Sequence, residues 1–194
     1  YYPYPSAGTA GNDATAKPFL AKRGLLMVLT HFKRRHLILE LLTLVALISF
    51  ALFLAFQWQT IIEPLPTHFG FDGQPDAWGD KSSLLVSLVI VVVIYILLLV
   101  VEFFPRIWNF PVAVNEQNRE NLTTMALDMF VLLKLVIVVA FGLIDYWTIT
   151  ARALPIWFLP LFLVILFGGV GFFVWRMVHY NSQLAKNNSD SKTN

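Results

Sequence analysis

His68, Asp72, Asp76 and Asp80 recur every four residues within 65–81, a stretch that also holds Pro66, Gly70, Gly73, Pro75, Trp78, Gly79 and Lys81. Imidazole nitrogens and carboxylate oxygens are ligands for a divalent cation, and on a helix this spacing would place them on one face. The glycines and prolines argue against a helix here, so the periodicity loses its geometric meaning. His68, Asp72 and Asp76 therefore stand as weak metal candidates, with no metal centre expected. Turn chemistry explains the same residues better, because Asp side chains cap turns by accepting from nearby backbone N–H groups. Asp72-Gly73 is a turn pair that can fold 67–71 back on 74–78 as a small hairpin, although Pro75 has no N–H to give the ladder. Phe69 and Trp78 are then expected to pack on the helix ends, with His68 helping to hold the loop in place.

A second set of ionisable groups lies inside apolar sequence. Lys134 falls near the middle of the apolar run 125–144, where a bare ammonium is costly enough that function is the default reading. Asp128 precedes it by six residues, about 120° around a helix, so the two cannot pair within one helix. Glu40, one turn into the first run, is expected at headgroup level together with Asp128; a buried network joining the helices is the alternative. The chain has no cysteine, so thiolate catalysis, Cys metal sites and disulfides are excluded. No His-Glu-x-x-His, Gly-x-Ser-x-Gly or intramembrane Asp pair occurs, hence no enzyme and no cofactor are expected. Gly168-Gly169-Val170-Gly171 has no Lys-Ser or Lys-Thr after it and reads as a place of close helix approach.

The elements that carry these groups are set by composition. Hydrophobic residues make up 57% of the chain and charged residues 13%, with mean hydropathy +0.66, which defines an integral membrane protein. Four runs, 37–56, 84–101, 125–144 and 154–174, match a hydrocarbon core of about 30 Å at about 1.5 Å per residue. They are apolar all round rather than alternating, so the fold class is all-α with four transmembrane helices, and a barrel is excluded. Pro160 is expected to kink the fourth helix.

Lys17, Lys22, Arg23, Lys33, Arg34 and Arg35 precede the first run, Arg106 and Arg119 lie between the second and third, and Arg176, Lys186 and Lys192 follow the fourth. Against these, the other side carries Lys81 and Arg152. The positive-inside rule puts both termini and the inner loop 105–120 in the cytoplasm, with 65–81 and 147–153 outside. Trp58, Trp147 and Trp157 then fall at outer helix ends and Trp108 and Trp175 at inner ends, as an aromatic belt requires. The expected organisation is a disordered segment 1–18, a basic juxtamembrane helix 19–36, a four-helix membrane domain 37–174 and a polar cytoplasmic tail 175–194. The chain opens on Tyr1 rather than Met, which leaves its native start open. The net charge of +2, gathered on the cytoplasmic face, suits a bilayer with anionic headgroups and not nucleic acid.

On Pro66-Thr67-His68-Phe69, Gly73-Gln74-Pro75-Asp76, Trp78-Gly79 and Lys81, the chain resembles a bacterial membrane family, the domain of unknown function numbered 1648. That domain is also the N-terminal module of SdpI-like immunity proteins. Asn109-Phe110-Pro111-Val112 resembles the aromatic Asn-Pro loop of the same family, so Asn109 and Pro111 join the candidate site. The likeness runs from about the start of the first helix to the middle of the third. Asp80 departs from it, standing where the family has a small Ser. The resemblance implies a multi-pass protein of the bacterial cytoplasmic membrane without established enzymatic activity. Expected, then, is an accessory protein of the immunity, sensing or envelope-stress type, meeting a protein partner or a peptide toxin; its oligomeric state is open. Two alternatives are a small transporter or channel component using Lys134 and Glu40, and a metal-assisted membrane enzyme at the His68 loop.

Overall fold

The computed structural model describes residues 33–193. Its elements run α1 (Arg34–Gln57), β1 (Leu65–Phe69), β2 (Pro75–Gly79), α2 (Ser82–Glu102), a short 3-10 turn (Pro105–Ile107), α3 (Arg119–Ile149) and α4 (Phe158–Thr193). All four α-helices are long and apolar enough to cross a membrane. The β-branched run Val89-Ile90-Val91-Val92-Val93-Ile94 in α2 would weaken a helix in water. In hydrocarbon every backbone N–H needs an internal partner, and the helix is the local way to supply it. Pro105 and the Phe104 before it stop continuation beyond Glu102, where the Phe103 N–H turns back onto Val100 O and the Phe104 N–H onto Val101 O, each at 3.0 Å.

α3 is the hub of the bundle, packing along α1, α2 and α4. Three apolar layers follow its length. At the hairpin end Leu54, Ile61, Leu65 and Leu84 cluster beside Trp58 and Ile149. The middle layer joins Leu47, Val91, Tyr95 and Val138. At the opposite end Leu122, Met125, Ala126 and Met177 meet Trp108, Phe110 and Phe130. Around this thin core large apolar side chains stay exposed, Leu41 at 62% and Phe167 at 68% among them, as expected of helices whose solvent is lipid.

The structure departs from expectation at several places. The fourth helix starts at Phe158 rather than 154 and does not end at 174 but runs on to Thr193, so the region expected as a polar tail is helical. Polar bonds hold that extension: Asn118 Nδ2 donates to Asn181 Oδ1 at 2.9 Å and Asn121 Nδ2 to the Tyr180 hydroxyl at 2.6 Å. Met177 and Tyr180 also pack on the apolar cluster at that end, but beyond Tyr180 the contacts are polar, so no hydrophobic period marks the remainder. Pro160 lies in the first turn of α4, where its missing N–H is no loss, and so has no ladder to break. Gly168, Gly169 and Gly171 have open space around them and no close neighbour. Segment 1–18 and most of 19–36 lie outside the described residues; Arg34, Arg35 and His36 form the first turn of α1.

Candidate functional site

Antiparallel pairing of β1 with β2 forms the expected hairpin at one end of the bundle, with Phe69 opposite Pro75 and register shifts on either side of His68. Pro75 opens β2, the position a strand tolerates best for a residue that cannot donate. Gly73 sits in the turn at φ +78°, where glycine is favoured. It is also pressed against the chain entering α4: Leu154 N–H donates to Gly73 O at 2.8 Å, and a Cβ on Gly73 would lie 2.1 Å from Leu154 O. Asp72 accepts from the Gln74 N–H at 3.0 Å, a local turn cap. Glu63 accepts from the Lys81 N–H at 2.7 Å, and the Lys81 ammonium lies 5.3 Å from the Trp58 ring centre. Leu65, 1% exposed, plugs the hairpin into the apolar layer below, next to buried Pro66.

His68 and Trp78 do not do the holding. His68 Nδ1 pairs with Asp76 Oδ1 at 2.6 Å, but the side chains are 69% and 53% exposed, and Trp78 is 53% exposed. They lie on the solvent side of the ribbon, whereas Leu65, Gly73, Glu63 and Lys81 supply the anchorage. Asp72 turns to its own backbone, so His68 meets Asp76 alone, and among the described residues no three His, Cys, Asp or Glu groups converge.

The convergence lies inside the bundle. Lys134 Nζ on α3 is 2.6 Å from Glu40 Oε2 of α1, and 2.9 and 3.0 Å from Glu102 Oε1 and Oε2 at the end of α2. Lys134 and Glu102 are 1% and 0% exposed. Glu102 Oε2 accepts the hydrogen bond from the ammonium, while Oε1 stands close to it without a hydrogen bond. Tyr95 of α2 completes the cage, its hydroxyl donating to Glu40 Oε1 at 2.7 Å and its ring centre 5.4 Å from the ammonium. One cation thus ties two carboxylates from two neighbouring helices.

Glu40 is therefore a partner of Lys134 rather than a water-solvated residue. The axial offset of the helices brings the pair together. α3 begins at Arg119, before the apolar run, and α1 and α3 run side by side with His36 facing Asp128 and Glu40 facing Lys134. Lys134, at the middle of α3, thus lies level with the end of α2 and the second turn of α1. Asp128 is not left to water either. His36 Nδ1 accepts from the Lys33 N–H, which leaves Nε2–H to donate to Asp128 Oδ1 at 2.6 Å. Arg35 Nη2 donates to Asp128 Oδ2 at 2.6 Å, and Arg176 of α4 stands 3.8 Å from the same oxygen. This second cluster joins α1, α3 and α4.

Asn109 and Pro111 lie exposed at the mouth of an apolar cleft of about 230 Å³ between the α2–α3 connection, α3 and α4. The anchors of that connection are Trp108, whose Nε1 donates to Val101 O at 2.9 Å and whose ring lies 5.2 Å from Phe130, and fully buried Asn118. Asn118 donates to Ala113 O at 2.8 Å and accepts from the Asn115 N–H at 2.8 Å. Glu102, Tyr95, His36 and Asn118 were missed as site residues. A charge balance would have pointed to Glu102, because a lone lysine in an apolar run needs carboxylates on neighbouring runs.

Fold and site together define a multi-pass helical membrane protein with a docked hairpin at one end and buried ionic clusters towards the other. Residues 44–94 match the family described as Domain of unknown function (DUF1648), and the chain carries that domain. The match takes in most of α1, the whole hairpin and the first half of α2; Glu40, Glu102, Asn109, Pro111, Asp128 and Lys134 fall outside it. No curated protein and no solved structure matches the chain.

Proposed function

We propose that this protein is a non-catalytic accessory component of the bacterial cytoplasmic membrane, of the immunity, sensing or envelope-stress type. In this reading the hairpin faces outside, both termini face the cytoplasm, and an event at the hairpin is passed to a cytoplasmic partner. The observation that carries it is the path of α3. This single helix spans from the Asn118 knot to Ile149, packs against the hairpin layer, and leads into Leu154, which is bonded to Gly73. Displacing the hairpin would therefore load one rigid element that holds the Lys134 cluster at its middle, the Asp128 cluster beyond it and the Trp108 connection near its far end. Hydrogen exchange of the reconstituted protein tests this: Gly73→Val should change exchange across 105–120 as well as around the hairpin. A change confined to the hairpin would end the coupling reading. For orientation, cysteines placed at Gln74 and Gln117 should be labelled from outside at Gln74 only.

A transport or channel role at Lys134 and Glu40 is the second reading, favoured by two carboxylates facing one buried ammonium, a group that could exchange a charge. Flux into proteoliposomes that disappears in Lys134→Met would select it over the accessory role.

A further inference from the structure

Asp145 lies on the face of α3 that carries Lys134, about 16 Å further towards the hairpin and roughly 20° around the helix. It is 3% exposed, its Oδ2 has no hydrogen-bond partner, and no ion pair among the described residues includes it. The Ser87 hydroxyl of α2 faces the carboxyl, and Thr148, 4% exposed, lies one turn on. Directly above, Leu65 and Ile149 belong to the apolar layer that closes the bundle under the hairpin.

An isolated carboxylate withdrawn from water is among the costliest groups to bury, and the Ser87 hydroxyl offsets only part of that cost, leaving Oδ2 without a partner. The neighbourhood is otherwise uncharged. The hairpin acids and His68 are exposed, Lys81 lies over Trp58, Tyr146 and Arg152 are exposed, and the outer halves of α1, α2 and α4 carry no titratable residue. We propose that Asp145 is the anionic ligand of one small monovalent cation, a proton or an alkali-metal ion, held between α2 and α3 beneath the hairpin. One carboxylate matches one positive charge, and the hydroxyls of Ser87 and Thr148 add neutral oxygens. A divalent ion would call for more carboxylates than this place holds. The site is separate from the Lys134 cluster and does not depend on the coupling role.

The test uses the full chain in detergent. Thermal midpoints are titrated with sodium and with potassium chloride against choline chloride at constant ionic strength, alongside infrared spectra of the carboxyl region. An alkali-metal ion should raise the wild-type midpoint with the logarithm of its concentration. Asp145→Asn should abolish that dependence and Ser87→Ala should weaken the apparent affinity several-fold. A proton should instead leave the midpoint equal in all three salts and show a protonated-carboxyl band, absent in Asp145→Asn and displaced in Asp145→Glu. If Asp145→Asn does not fold, Ser87→Ala and Asp145→Glu read the two arms. Equal midpoints in all three salts without a protonated-carboxyl band assignable to Asp145 would overturn the proposal.

Discussion

The hairpin and the Lys134 cluster hold comparable inventories of charge and use them in opposite ways. At the hairpin His68 and Asp76 meet 2.6 Å apart in the open, while anchorage comes from an apolar plug, a turn glycine and backbone bonds. In the bundle Lys134, Glu40 and Glu102 make contacts of similar length, but out of water and on three helices. The same hydrogen-bond length therefore carries different weight: an exposed pair is screened and contributes little, whereas a buried one cannot lose a partner without leaving a stranded charge. Chemically suggestive residue types drew attention to the hairpin. Burial identifies the bundle as the place where ionic contacts matter most.

The largest effect should come from Lys134→Met, which strands Glu40 and Glu102 and is expected to destabilise the folded state by about 3–5 kcal/mol. Reversible unfolding in mixed micelles measures it, and adding Glu40→Gln and Glu102→Gln should restore much of the loss. A loss below that of His68→Ala would break the comparison. Next is Asp128→Asn, which removes the charge that receives His36 and Arg35, with an expected cost of about 1.5–3 kcal/mol in the same assay.

Gly73→Ala separates geometry from charge at the hairpin. Its methyl would sit on the Leu154 carbonyl at a positive φ, so a cost of about 1–3 kcal/mol is expected, with faster proteolytic cutting within 65–81. Unchanged cutting would mean that the hairpin is held elsewhere. The smallest effect is expected of His68→Ala, at most about 1 kcal/mol, since both partners face solvent. A melting shift as large as that of Gly73→Ala would restore His68 to the role its sequence position suggested.

The features legible in the chain are those set by neighbours along it. Helix number follows from four apolar runs that must satisfy their own backbone in lipid, and the hairpin follows from Asp72-Gly73 between two short extended segments. Lys134 could be marked as needing a partner because the cost of a buried ammonium is local to it. Which partner it takes was decided in three dimensions. Glu40 and Glu102 lie 94 and 32 residues away in the chain, and they reach Lys134 because α3 starts at Arg119 and slides along α1 until Asp128 meets His36. The continuation of α4 beyond 174 meets Asn118 and Asn121 at the start of α3 through amide hydrogen bonds, and Met177 packs on the apolar cluster beside them. Apolar periodicity records that a helix is buried in lipid on every side; it carries no signal of axial offset between helices, which only side-chain packing and the pairing of buried charges select.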